Sequence, residues 1–417
     1  MNLNRIHLKN FKCYVDTEID FHPRMNVLVG INGTGKSSLL EAIRVAIGTL
    51  FLNVDKYKNK IASPEIVQDD VRLENLEQQY PVSIEASGEV SDFLPNEKKH
   101  IISWTRTIEQ KGGKTTQNRA KEMQRISTGM QQAIRENRGI IPVLAYYSTE
   151  RYKKEKKSLD VEADGSRLRG YFNSLDSLTN IKFFQNLYYT ETLDALQKGV
   201  SSEMLQAVNA AVKACVGCDD LYFDIKKREI IMNGKDGIVP MHLLSDGVRS
   251  VLSLVMEIAF RCYLLNPQLK AEATRLTDGI ILIDEIDLHL HPEWQIHILQ
   301  DLQKAFPKLQ FIVTTHAPLV ISALNDCRIY SISSGEVYDF PLQYGRNADS
   351  VLQTMGVQKM KQEYQTELES YLLDIENGNG YTKEAMERRK KLDNWLGKEH
   401  SDLQKADLML SFFGKPE

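Results

Sequence analysis

Hydrophobic and polar positions change places along Leu3-Asn4-Arg5-Ile6-His7-Leu8-Lys9 with the period of a half-buried strand, and a second strand is expected over residues 15–21. Met25-Asn26-Val27-Leu28-Val29 is nearly all apolar and stops at Gly30, the pattern of a strand buried on both faces of a parallel sheet. Residues 36–50 then change to helical spacing, with Leu39, Leu40, Ile43, Ala46 and Ile47 on one face. Strand-like alternation returns over residues 80–110, around Val82, Ile84, Ile101 and Trp104, and Gly112-Gly113 marks a turn. Residues 119–138 read as a polar helix and residues 142–147 as another buried strand. Helical spacing over about 165–215 marks an inserted lobe, placed at approximately 151–215. Residues 221–232 suit a pair of short strands and 246–265 a helix. Strand, helix and strand follow at 279–284, 293–305 and 309–314. This alternation predicts an α/β fold with right-handed crossovers around a parallel or mixed sheet. Residues 345–417 read as helices without a clear strand.

Composition narrows the class. The chain has 417 residues, 42% hydrophobic and 26% charged, which excludes a largely disordered chain, a collagen-like repeat and a coiled-coil rod. The formal net charge of −4 gives no global basic field, so any nucleic-acid contact must be local. Five scattered cysteines make no disulfide framework. Neither a signal peptide nor an apolar run of membrane-spanning length is read, so a reducing cytoplasm without membrane association is expected.

Chemistry enters at the strand ends. Gly30-Ile31-Asn32-Gly33-Thr34-Gly35-Lys36-Ser37 matches G-x-x-x-x-G-K-[ST] in full, after a buried strand and before a helix. Glycines let the backbone wrap a phosphate, and the amides of the following helix start point at it. Lys36 would reach the β- and γ-phosphates, and Ser37 would ligate Mg2+. The nucleotide-binding positions are thus Gly30, Asn32, Gly33, Thr34, Gly35, Lys36, Ser37 and Ser38. Gly279-Ile280-Ile281-Leu282-Ile283-Asp284-Glu285 is an apolar strand ending in two carboxylates. Asp284 can hold Mg2+ and Glu285 can deprotonate an attacking water. Phe311-Ile312-Val313-Thr314-Thr315-His316 is a third apolar strand. A lone histidine at a strand end is ordinarily structural, but beside two such motifs His316 reads as a γ-phosphate sensor. Leu244-Ser245-Asp246-Gly247-Val248-Arg249 precedes a helix, so Ser245 and Gly247 offer a second anion site or an ordinary N-cap.

These four segments together resemble an ABC-type ATPase head of the kind shared by SMC, Rad50, RecF and OLD proteins. The resemblance implies that the signature segment 244–249 caps the ATP of a second subunit in a head-to-tail dimer, and that Asp287 lies in the loop that crosses it. It also places Lys12 where the family often has an arginine. Ser148-Thr149-Glu150-Arg151 stands where many members carry a metal-ligating glutamine, so none is assigned. The stretch between phosphate loop and signature is too short for long coiled-coil arms, and 345–417 is too short for an OLD-type nuclease domain. The wording of residues 141–147, 244–249, 288–295 and 310–318 is most similar to the group of bacterial ATPases that includes the PtuA subunit of Septu and related retron anti-phage systems. That likeness implies an ATPase head over 1–344 and a helical region, 345–417, for assembly or partner binding. It also implies a separate HNH nuclease partner of the PtuB kind, a dimer or a higher assembly, and nucleic acid met through the complex. The competing class is a RecF-like repair ATPase that clamps DNA directly, and a third is a nucleotide-gated scaffold with negligible turnover. Arg151–Lys157 and Arg388-Arg389-Lys390-Lys391 are basic runs open to a phosphate-binding or a solvated reading. Cys215-Val216-Gly217-Cys218 lacks the second pair a zinc site needs, and the spacing of His289 and His291 fits the crossing loop better than a metal.

Overall fold

The computed structural model describes residues 1–54, 61–93, 98–149, 166–176, 181–234, 237–355, 362–397 and 400–413. They divide into two compact units, Met1–Asn347 and Ala348–Glu417.

In the first unit, the alternating N-terminus builds an antiparallel sheet. β1 (Asn2–Phe11) pairs with β2 (Tyr14–Asp20) and buries Leu3, Ile6, Leu8 and Phe11. The nearly all-apolar β3 (Met25–Val29) leaves this sheet for another, and α1 (Lys36–Ile47) follows it. After the small hairpin of β4 (Leu73–Glu74) and β5 (Glu77–Gln78), β6 (Val82–Ser91) and β7 (Lys99–Ile108) complete the first sheet in the order β2-β1-β6-β7. α2 (Lys121–Arg135) is shorter than the 119–138 expected, because a 3-10 turn at Asn118–Ala120 precedes it.

The central sheet is assembled from distant segments. Its members are β3, β8 (Val143–Tyr147), β12 (Gly279–Ile283), β13 (Leu309–Thr315), β14 (Arg328–Ser333) and β15 (Glu336–Phe340), in the order β15-β14-β3-β13-β12-β8. All neighbours are parallel except β14 and β15, so the sheet is mixed. Every residue of β3, β8, β12 and β13 is buried, as expected for strands covered on both faces. Register matters most for function. Val29 lies opposite Thr315, Val313 opposite Ile283, and Ile283 opposite Tyr147. The carboxyl ends of four strands are therefore level, and Gly30, His316, Asp284 and Ser148 emerge along one edge, where open α/β sheets bind ligands.

The hairpin β14–β15 was not foreseen from sequence. Buried Ile329, Tyr330 and Ile332 do not alternate, because β14 lies inside the sheet between β3 and β15. α3 (Ile181–Lys198) and α4 (Glu203–Val216) fall in the stretch expected to be helical. β9 (Asp220–Asp224), β10 (Glu229–Gly234) and the additional β11 (Gly237–Pro240) form a three-stranded antiparallel sheet next in the chain. The long α5 (Asp246–Leu265) packs against β8 and α4. α6 (Ala273–Leu276), α7 (Pro292–Ala305) and α8 (Pro318–Ser322) complete the unit's helices.

The second unit is helical: α9 (Ala348–Thr354), α10 (Gln362–Glu376), α11 (Lys383–Leu396) and α12 (Ser401–Phe413). Its core joins Leu368, Tyr371 and Ile375 to Ala385, Leu392, Leu403 and Ala406.

Candidate nucleotide-binding site

The phosphate loop is held by its own geometry. Gly30 has φ +152°, and a Cβ there would lie 2.4 Å from the carbonyl oxygen of Ile332, so β14 leaves room only for glycine. Thr34 donates its hydroxyl to Ile31 O at 2.9 Å, and the Gly335 amide reaches Thr34 O at 3.3 Å. Tyr14 donates to Gly35 O at 2.9 Å from the β1–β2 hairpin. α1 starts at Gly35 with no side-chain cap, which leaves helix-start amides for a ligand. Asn32 and Gly33 are exposed, and space beyond the Gly33 Cα is open. Ser38 follows in the first turn of α1.

Lys36 is buried, and its ammonium donates to Gly30 O at 2.9 Å and Ile31 O at 2.8 Å. Burial lowers its pKa, and the charges of Asp284, Glu285 and Asp287 offset part of that effect. The lysine is thus a partly desolvated cation held by two loop carbonyls.

The acidic strand end meets this loop. Ser37 donates to Asp284 Oδ2 at 2.8 Å, and Thr314 donates to Asp284 Oδ1 at 2.6 Å. The Asp284 amide bonds Tyr147 O at 2.8 Å, fixing the carboxylate from the neighbouring strand. Glu285 turns out of the strand with φ 48°, a conformation few non-glycine residues adopt, and its amide donates to Thr314 Oγ1 at 2.7 Å. A hydroxyl and a carboxylate in contact at this edge are an oxygen donor set suited to Mg2+. Thr314 was read from sequence only as part of a strand. Its hydroxyl binds both acidic residues, and the available signal was a polar pair, Thr314-Thr315, closing an apolar run.

Asp287 accepts from Thr315 Oγ1 at 2.6 Å and from the His316 amide at 3.4 Å. The loop after β12 is therefore tied to the end of β13, and half-buried His316 stands at the same edge as Glu285. At the start of α5, Ser245 is exposed and its hydroxyl accepts weakly from the Val248 amide at 3.5 Å. A Cβ on Gly247 would lie 2.6 Å from His289 O, so the signature turn rests on the Asp287–His291 loop. No hydrogen bond joins Ser245 or Gly247 to the phosphate loop of their own chain among the described residues.

Other candidates sort differently. Lys12 pairs with Asp70 Oδ1 at 3.2 Å. Of the segment expected to hold a glutamine, Ser148 is buried, while Glu150 and Arg151 lie outside the described residues, as does the rest of the Arg151–Lys157 run. In the second unit Arg388 pairs with Glu367 and Asp374, and Arg389 pairs with Asp393 and Asp407, so that basic run is largely neutralised. Cys215 and Cys218 are free thiols, and His291 caps α7, accepting from the Glu293 amide at 3.4 Å. No group of three potential metal-ligating His, Cys, Asp or Glu residues occurs among the described residues. No described helix is long and apolar enough to cross a membrane.

Known proteins are similar to the chain over most of its length. The Septu protein PtuA of Bacillus mycoides is 25% identical over 84% of this chain and 44% of its own length. An Escherichia coli protein named "Retron Ec83 probable ATPase" is 25% identical over 81% of this chain and 72% of its own. The SMC head domain from Thermotoga maritima is similar over 82% of this chain and 99% of its own, with 17% identity and a TM-score of 0.45. The chain thus spans less than half the length of the Bacillus mycoides relative. A second family model, also of an AAA domain, matches residues 132–322. The model described as "AAA domain" matches residues 5–213, half of the sequence and the phosphate loop with it, and the chain belongs to that family.

Proposed function

We propose that the chain is the ATP-binding and ATP-hydrolysing subunit of an anti-phage defence complex, controlling a separate HNH-type nuclease through ATP-dependent head-to-tail dimerisation. The observation that carries the ATPase reading is the 2.8 Å contact between Ser37 and Asp284, with Lys36 and Glu285 beside it at one sheet edge. The defence reading is supported by the relatives named Septu PtuA and retron ATPase.

In this reading the loop amides and Lys36 bind the β- and γ-phosphates of ATP, and Lys36 exchanges its carbonyl partners for phosphate oxygens. Mg2+ would be held by Ser37 and Asp284, and it supplies positive charge against the phosphate oxygens. Glu285 accepts a proton from the attacking water as the new oxygen–phosphorus bond forms. The bond from the γ-phosphorus to the bridging oxygen breaks, and ADP leaves. His316 senses the γ-phosphate. Ser245, Gly247 and Asp287 act across the dimer seam, where two-fold closure makes both sites equivalent. Higher assembly and nucleic-acid contact belong to the complex.

Two experiments test the proposal. Glu285→Gln should bind ATP and lose turnover by about 10²–10⁴-fold. Normal hydrolysis by that variant would remove Glu285 as the base. A tagged chain recovered from its native cells should bring down a stoichiometric small HNH protein. Recovery alone or with repair proteins, together with salt-dependent DNA binding by the isolated chain, would favour a RecF-like clamp instead.

A further inference from the structure

A cleft of about 970 Å³ opens beside α5 in the first unit, lined by α3, by the β9–β10 hairpin and by the polar side of α5. No residue of the phosphate loop lines it. Its volume is that of a small-molecule site.

The lining has two chemical halves. On one wall Tyr189 of α3 and Phe223 of β9 form an aromatic pair, ring centroids 5.0 Å apart at 44°. The other half is charged: Lys227, Arg228 and Arg249 share it with Glu229, Asp246 and Glu257. Each lining carboxylate already has a basic partner: Glu229 pairs with His242, Asp246 with Arg249, and Glu257 with Arg261. Lys227 and Arg228, in the β9–β10 turn, form no salt bridge among the described residues, the Lys227 charge acting on Glu229 only at longer range. An aromatic wall sharing a cleft with two cations outside any salt bridge suits a planar ring that carries an anionic group.

The depth of the cleft adds a connection. Tyr147 and Glu257 both line it. The Tyr147 carbonyl holds the Asp284 amide at 2.8 Å, one residue before Glu285. Glu257 and Arg261 form a buried pair at 2.7 Å, and Arg261 donates to Gly170 O at 2.8 Å and Phe172 O at 3.2 Å. An occupant would therefore touch both the strand that positions the acidic pair and the helix that begins at Ser245.

We infer that this cleft is an effector site for a nucleoside phosphate, separate from the phosphate-loop site. The base stacks on Tyr189 and Phe223, and the phosphate is met by Lys227 and Arg228. Occupancy biases the α5–β8 contact. The inference does not depend on hydrolysis, so it stands or falls apart from the ATPase reading.

The test uses the full chain carrying Lys36→Ala, which disables the phosphate loop. AMP, GMP, CMP and UMP are titrated separately by calorimetry. At least one should bind saturably, and adding Arg228→Glu or Tyr189→Ala should weaken that binding by at least about tenfold. Thermal melting checks that each variant is folded, with Lys227→Glu replacing any that is not. Absence of saturable binding for all four nucleotides would overturn the inference. So would binding indifferent to both the charge and the ring substitutions.

Discussion

The two helix starts in the first unit, α1 after the phosphate loop and α5 after the signature turn, are built to different degrees of completion. α1 has no side-chain cap, and Gly35 enters it at φ +115°. A cap is ordinarily worth about 0.5–2 kcal/mol, and α1 does without one where its amides would meet a phosphate. Its neighbours are tied down: Lys36 is buried on loop carbonyls, Ser37 is bonded to Asp284, and Tyr14 holds Gly35 O. α5 begins at an exposed serine that caps itself at 3.5 Å, followed by Asp246, whose side chain is 74% exposed and pairs with Arg249. One end is a finished cradle. The other is an open polar turn that sets Gly247 against His289 and ties Arg249 to His242 O at 3.4 Å. In the proposed dimer, the difference teaches, a single chain would supply the phosphate cradle of one site and the open lid of the other.

Mixing two inactive variants can break that comparison with the largest effect. Lys36→Ala should reduce ATP turnover to background by destroying the cradle, and Ser245→Arg should do so by blocking the lid. In a head-to-tail dimer of one variant with the other, both lesions fall in one composite site and leave the second intact. Random mixing should then restore about a quarter of wild-type turnover, since half the dimers are mixed and each keeps one site. Absence of recovery above either variant alone would mean that Ser245 acts within its own chain, as an ordinary cap, and that the two helix starts are not halves of one site.

Thr314→Val is the next step down. The hydroxyl donates to Asp284 Oδ1 and accepts from the Glu285 amide, and valine keeps the shape while removing both bonds. Loss of a hydrogen bond to a charged group is worth about 1.5–3 kcal/mol. Turnover should fall by roughly tenfold or more, with a raised Mg2+ requirement, while ATP binding by the phosphate loop persists. Unchanged Mg2+ dependence would mean that Ser37 and the Tyr147 carbonyl suffice to position Asp284.

Thr314 also marks the limit of what the sequence disclosed. The phosphate loop was legible because its positions are contiguous and its neighbours, an apolar run and a helical stretch, are local patterns. Asp284, Glu285 and His316 were legible because each follows an apolar strand, and parallel register brings such ends level. Thr314 bonds to residues thirty positions away, and no local spacing encodes that bond. Tyr14 and Ile332 were hidden for the same reason: they confine the loop from a separate sheet and from an interior strand whose burial does not alternate. Asp287 was placed by family likeness in a dimer-crossing loop, and the structure ties its carboxylate to Thr315 of its own chain. The cleft beside α5 had no signal in sequence, since α3, the β9–β10 turn and α5 supply it from three stretches.

Tyr14→Phe sharpens the comparison at its smallest scale, because it removes one hydroxyl from the closed end and nothing from the open one. The lost bond to Gly35 O should lower stability by about 0.5–1.5 kcal/mol and weaken ATP binding by several-fold. Burial pushes the Tyr14 pKa well above its ordinary value of 10.0, so in the folded chain the phenol remains a donor. A group whose folded pKa is raised contributes its full stability below the unfolded pKa and loses it as pH rises beyond that value. The stability advantage of the wild type over Tyr14→Phe should accordingly be constant through neutral pH and shrink above about pH 10, where the unfolded tyrosine ionises. Chemical denaturation of both proteins across that range measures the difference directly. An advantage that stays constant into alkali would show that Tyr14 is not held as a buried donor. The closure of the phosphate loop would then rest on Gly30 against Ile332 and on the lysine's two carbonyls.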